Sequence, residues 1–150
     1  MPTIIPGYVY SIFATIIVGA IIIYGCTIST INIKNQAQNQ ELTNIDQYVA
    51  TQSLRILTCT TQDNQNITQY LNLPTQIGNQ PYWITITNDS TNAWIESGFG
   101  TTATTGEPQV YIPSNIEASG TFLSNYGWPT LQCWSANQTI NLELTNGEQA

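Results

Sequence analysis

Hydrophobic and polar positions fall into three successive patterns along the chain. The first is "PGYVYSIFATIIVGAIIIYGC", Pro6 to Cys26, which carries no charged residue and no amide side chain. It is apolar on every side instead of along one stripe, so as a helix it leaves no face for water. From Tyr8 to Ile28 is about 21 residues, a helical rise of roughly 31 Å, which matches the hydrocarbon core of a bilayer. Pro6 suits the first helical turn, and Tyr8, Tyr10 and Tyr24 lie near the two ends, where interfacial aromatics collect. The expected membrane anchor therefore comprises Tyr8, Ile12, Phe13, Ile16, Ile17, Val18, Ile21, Ile22 and Ile23. An excised leader would carry a basic segment before the apolar run, and "MPTII" has none. The "YGC" ending at Cys26 resembles a lipobox with a bulky Tyr24 where a small residue is usual, so lipid attachment and a plain thiol at the helix end both fit.

The second pattern is polar, then amphipathic. "STINIKNQAQNQ", residues 29–40, has no Gly or Pro to stop a helix, and beyond it Leu42, Ile45, Val49 and Ile56 fall at helical spacing, with Gln52 in the gap. This predicts one continuous helix to about Leu57. Its apolar stripe is expected to serve as an assembly seam between subunits upstream of about Val49, and as an intramolecular core beyond, where Leu54, Ile56 and Leu57 lead into the rest of the chain.

After Cys59 the period changes to two. "TQYLNL", "YWITIT", "AWIES", "QVYIP", "GTFLS", "LQCWSA" and "TINLELT" are short runs, several strictly alternating, separated by Gly, Pro, Asn and Ser. Such spacing predicts an antiparallel β-sandwich or barrel-like sheet, the sandwich being the expected fold, with "FGTTATTGEP", Phe99 to Pro108, as a long exposed hairpin tip or loop. The expected fold class is α+β: a short segment at 1–7, a transmembrane helix at 8–28, a helical stalk at 29–58 and a sandwich domain at 59–150.

Composition narrows the function. Charged residues make up 7% of the chain against about 25% in an ordinary soluble domain, while Ser, Thr, Asn and Gln together reach about 40%. A surface solvated by amides and hydroxyls does not titrate, which suits an acidic exterior. The net charge of −7, with Lys34 and Arg55 as the only basic side chains, excludes an electrostatic grip on nucleic acid. Sequons at Asn66, Asn88 and Asn137 mark candidate glycosylation sites on an exported domain. Of three cysteines, Cys59 and Cys133 both follow the anchor and are the pair expected to form a disulfide.

Catalytic chemistry has few carriers. Without histidine there is no Ser-His-Asp or Cys-His nucleophile, no metal-ligand spacing occurs, and no cofactor is implied. Glu96, Glu107 and Glu117 lie on or near strands and are expected to be exposed edge charges; Asp89 in "TNDSTN" is expected to serve a turn. Trp83, Trp94, Trp128 and Trp134 fit a core or rim, or a platform for sugars.

The layout resembles the archaeal type IV pilin-like surface proteins. The resemblance rests on "PGYVYSIFATIIVGAIII", the helical "NIDQYVATQSLRIL", and "LNLPTQIGNQPYWITIT" leading into strands. Its local sequence is confined to Gly7-Tyr8, Leu73-Pro74 and Tyr82 to Ile86. The family's charged leader and peptidase site are represented here by Pro6-Gly7 alone, which directs the resemblance toward the anchored accessory proteins of pili and archaella. It implies a non-enzymatic cell-membrane protein with an extracellular C-terminal domain, contacting lipid and the subunits of a filament or surface layer as a homo- or hetero-oligomer. The alternative expectation is a surface module that binds carbohydrate or peptide through its tryptophans and the 99–108 loop.

Overall fold

The computed structural model describes residues 4–63, 65–89, 91–104, 109–136 and 139–147. One helix, α1 (Ile4–Asp63), precedes seven strands: β1 (Ile67–Tyr70), β2 (Tyr82–Asn88), β3 (Ala93–Phe99), β4 (Val110–Ile112), β5 (Ile116–Leu123), β6 (Trp128–Ala136) and β7 (Thr139–Gly147). The chain divides into two compact units, residues 1–38 and 39–150. The second unit begins well upstream of the expected boundary at 59, because the later part of the expected stalk is a structural layer of the domain.

The helix runs through many Thr residues, which are weak helix formers when their hydroxyls compete for backbone groups. Here the competition is resolved in place. Thr15, Thr27, Thr30, Thr43, Thr51 and Thr58 each donate to the carbonyl four residues earlier, at 2.8 to 3.0 Å. For Thr15 and Thr27, which lie in or beside the apolar run, this gives each hydroxyl a partner within the helix.

The strands form one mixed sheet in the order β1-β6-β7-β5-β2-β3-β4. Hairpins β2–β3 and β6–β7 are antiparallel, and β1 and β4 are short edges. The expected antiparallel sandwich is therefore corrected in two respects. The sheet contains a parallel junction, Ile116–Gly120 of β5 against Ile140–Leu144 of β7. The layer facing the sheet is not a second sheet but the helix of the same unit, whose Leu42, Ile45, Val49, Ala50, Ile56 and Leu57 are buried in one cluster with the strands. An aliphatic helix face occupies the space that a second sheet would fill.

Strand parity assigns the faces. Tyr82, Ile84 and Ile86, Ala93 and Ile95, Ala118 and Phe122, Leu131 and Cys133, Leu142 and Leu144 all lie in the buried cluster under the helix. Their alternate neighbours point to the opposite face. β5 changes partner within its length, since Thr121 to Leu123 pair antiparallel with β2 instead of parallel with β7. The change occurs at Gly120, φ +115°, where a Cβ would collide with the Leu144 carbonyl oxygen. Two asparagine side chains then continue the pairing where a backbone has departed. Asn146 of β7 accepts from the Leu123 N–H at 2.9 Å and donates to its carbonyl at 2.8 Å. Asn88 of β2 donates to the Ile116 carbonyl at 3.2 Å and accepts from the Ala118 N–H at 3.3 Å.

Candidate functional site

In the first unit, Tyr8, Ile12, Phe13, Ile16, Ile17, Val18, Ile21, Ile22 and Ile23 are all exposed, at 46 to 76% of their surface when Tyr10 is included. α1 is long and apolar enough to cross a membrane, and none of its most apolar window is covered by protein. Cys26 is an exposed free thiol on the same segment.

The stripe read as an assembly seam lies elsewhere. Leu42, Ile45, Val49 and Ile56 are 8, 7, 0 and 2% exposed, so the sheet of the same molecule covers the whole stripe, the part upstream of Val49 included. Leu54, expected in the core, is instead exposed, because 100° per residue rotates it away from the sheet while Ser53 and Ile56 face it.

That helix face also carries a carboxylate. Asp46, next to Ile45, is 1% exposed; Ser97 Oγ of β3 donates to its Oδ2 at 2.6 Å, and Oδ1 has no hydrogen-bond partner among the described residues. Burial raises its pKa from 3.8 to about 6, opposed only in part by the Ser97 hydrogen bond. Tyr82, on the adjacent strand, is pushed well above its ordinary value by burial and by the charges of Glu41 and Asp46, and its hydroxyl donates to the Pro74 carbonyl at 2.6 Å.

Cys59 and Cys133 are not joined. Cys59 is exposed and Cys133 is buried on β6, both as free thiols. The helical step places Thr60, not Cys59, toward the sheet: Thr60 is 1% exposed and its hydroxyl lies beside the Cys133 thiol without forming a well-directed hydrogen bond. Burial raises the Cys133 pKa, and Thr60 opposes that shift.

The sequons differ in setting. Asn66 is exposed in the link before β1. The Asn88 side-chain nitrogen is occupied by the Ile116 carbonyl and, at 3.4 Å, by that of Asp89. Asn137 and Glu107 lie outside the described residues. Asp89 closes the β2–β3 turn, its Oδ1 accepting from the N–H groups of Thr91 and Asn92 at 2.7 and 2.6 Å, and these bonds lower its pKa.

The face turned away from the helix holds an arrangement that sequence reading left dispersed. Across β5, β2 and β3, Thr121, Thr85 and Glu96 lie in register; across β2, β3 and β4, so do Thr87, Trp94 and Tyr111. These adjacent rows share one face. Thr85 and Thr121 share a hydrogen bond at 3.0 Å, and the Trp94 Nε1–H donates to Glu96 Oε1 at 2.7 Å. Trp94 and Tyr111 rings sit 6.5 Å apart at 59°. Ala103 and Thr104, from the expected loop, wall a cleft of about 380 Å³ together with Thr85, Thr87, Trp94, Glu96 and Thr121, and Tyr111 lies beside Trp94 outside that lining. Glu96, expected to be an exposed edge charge, is only 7% exposed, whereas Glu117 is exposed. Trp83 is buried, its indole lying over Gly98, where a Cβ would come within 2.7 Å of the ring. Trp134 is half-buried on the β6 part of the sheet, and Trp128 is exposed.

The fold defines an α+β protein in which one helix supplies both an uncovered apolar segment and the layer that covers a mixed seven-stranded sheet. Compared with family models, curated proteins and solved structures, the chain matches none.

Proposed function

We propose that the protein is a non-enzymatic, membrane-anchored surface protein of the archaeal type IV pilin-like kind, whose second unit lies outside the cytoplasm and takes part in a pilus, archaellum or surface-layer assembly. The observation that carries this reading is the division of labour along α1: residues from Tyr8 to Ile28 are uncovered, whereas the stripe from Leu42 to Leu57 is used up within the domain. An uncovered helix apolar on all sides is stable only in lipid or among other helices.

This changes where partners attach. With the stripe buried, helix-mediated contacts to other subunits fall to the segment around residues 8–33, and contacts outside the membrane fall to the neutral polar surface of the domain. The exposed Asn66 sequon and the scarcity of charge support an external domain. Protease added to intact cells should remove residues after about 60 and leave the anchor in the membrane fraction; complete protection would refute the topology. Native pull-down from membranes should recover filament or surface-layer subunits, and recovery of none would refute the assembly role.

A further inference from the structure

We infer that the face of β5–β2–β3–β4 opposite the helix is a binding site for an uncharged saccharide, with Trp94 and Tyr111 as its stacking surface and Thr85, Thr87 and Thr121 as its hydrogen-bonding row. The site is independent of the membrane reading. On their other face the same strands carry Tyr82, Ile84, Ile86, Ile95 and Phe122 in the core. Strand positions facing away from a core need only be soluble, and a Trp–Tyr pair is a costly way to be soluble.

Trp94 is held in place. Its Nε1–H is fixed on a carboxylate that is itself 7% exposed, so the indole plane is set before any ligand arrives and loses little freedom on binding. Tyr111, 64% exposed, extends the aromatic surface at an angle and leaves a ring face open to solvent. A pyranose offers one face of C–H bonds to an aromatic ring and a rim of hydroxyls that both donate and accept. A row of threonine hydroxyls, which also both donate and accept, meets that rim without a fixed charge. The cleft of about 380 Å³ walled by Ala103 and Thr104 has the size of a site for one or two sugar rings.

Electrostatics selects among saccharides. The chain's two basic residues, Lys34 and Arg55, are both on α1, and no cation stands among the cleft residues, whereas Glu96 does. Phosphorylated, sulfated and uronic-acid sugars would meet a negative site without a counter-charge. Neutral hexoses and N-acetylhexosamines meet no such penalty. A single carboxylate, already bonded to the indole, does not make a cation site.

The test uses the full-length protein in detergent or nanodiscs, titrated with neutral oligosaccharides terminating in glucose, mannose, galactose or N-acetylglucosamine, and read by tryptophan fluorescence and calorimetry. Sulfated and uronic oligosaccharides and an unstructured peptide serve as comparisons. The expected result is saturable binding of at least one neutral oligosaccharide, weakened tenfold or more by Trp94→Ala and severalfold by Tyr111→Ala, and unchanged by Trp134→Ala on the other part of the sheet. Tyr111 is exposed, so its variant keeps the test valid if Trp94→Ala fails to fold. Absence of binding by the folded protein to every neutral sugar would overturn the inference. So would binding that survives both variants, or that is confined to the acidic sugars or the peptide.

Discussion

Asp46 makes the domain's stability depend on pH in the direction opposite to that of most proteins. Its carboxyl is buried against β3 with Ser97 as its hydrogen-bond donor and no positive charge beside it, and burial raises its pKa from 3.8 to about 6. A carboxyl raised in the folded state stabilises the fold fully below the unfolded value of about 3.8, and that contribution is lost as pH rises through about 6. Two units at about 1.36 kcal/mol each come to roughly 3 kcal/mol between pH 4 and pH 7, or a melting temperature higher by about 10 °C or more at the acid end. The aspartate that imposes this dependence can be tested by Asp46→Asn, which keeps an acceptor for the Ser97 hydroxyl and removes the charge. The variant should melt about 10 °C above the native protein at pH 7, match it near pH 4, and show a flat profile between. Denaturation of the detergent-solubilised full chain, followed by near-ultraviolet dichroism, separates the domain's transition from that of the apolar N-terminal segment. A native protein less stable at pH 4 than at pH 7, or an Asp46→Asn variant with the native slope, would show that the carboxylate is solvated or paired in a way the geometry does not contain.

Five further outcomes follow from particular contacts. Gly120→Ala, forced into φ +115° against the Leu144 carbonyl, should cost roughly 3 kcal/mol or more or prevent folding, as read by denaturant titration. Asn146→Ala removes both bonds to Leu123 and should cost about 1–3 kcal/mol, with amide exchange accelerating at Leu123 first. Val49→Asn places an amide at a position with no exposure and should lower stability by about 3–5 kcal/mol, and an unchanged melt would return the stripe to an intermolecular role. In the native protein a maleimide should modify Cys59 rapidly, while Cys133 should react only on unfolding; loss of both reactivities without reductant would restore the disulfide. Below about pH 3.8 the lowered pKa of Asp89 acts in the opposite sense to Asp46, since its turn bonds are present above the unfolded value and are lost as pH falls, so the acid advantage should not continue to strengthen there.

Periodicity carried much of this architecture in advance, and partners did not. The uncovered apolar segment, the continuous helix and the apolar runs of all seven strands follow from spacing alone, because burial on one face leaves a period of 3.6 or 2 whichever layer provides the cover. What covers the helix stripe is a different question: Leu42 and Ile45 read the same whether a sheet or a second subunit lies on them. The first half of β5, "IEAS", escaped notice because Ala118 and Ser119 alternate too weakly to stand out. With it the parallel junction to β7 was also missed, since strand direction depends on connections between distant residues. Asp46 gave no signal beyond sitting beside Ile45, where a carboxylate is ordinarily solvated. Cys59 misled because a single helical step turns it from the sheet and presents Thr60. The rows on the open face were dispersed over four strands, and only register brings Thr121, Thr85 and Glu96, or Thr87, Trp94 and Tyr111, together.

The shared strand β5 also sets the order in which this domain can be completed. Hairpins β2–β3 and β6–β7 each close from local contacts, but β5 joins them through one half to each, and its partner β7 is the last of the seven strands described. The edge of β5 that β7 occupies therefore stays open until residues 139–147 are available to pair with it. Joining the two hairpins through β5 needs pairings across long sequence separations, which are the slow kind to form. A chain lacking residues 139–147 would present the unpaired edge of β5 to its neighbours, and an open strand edge invites edge-to-edge association.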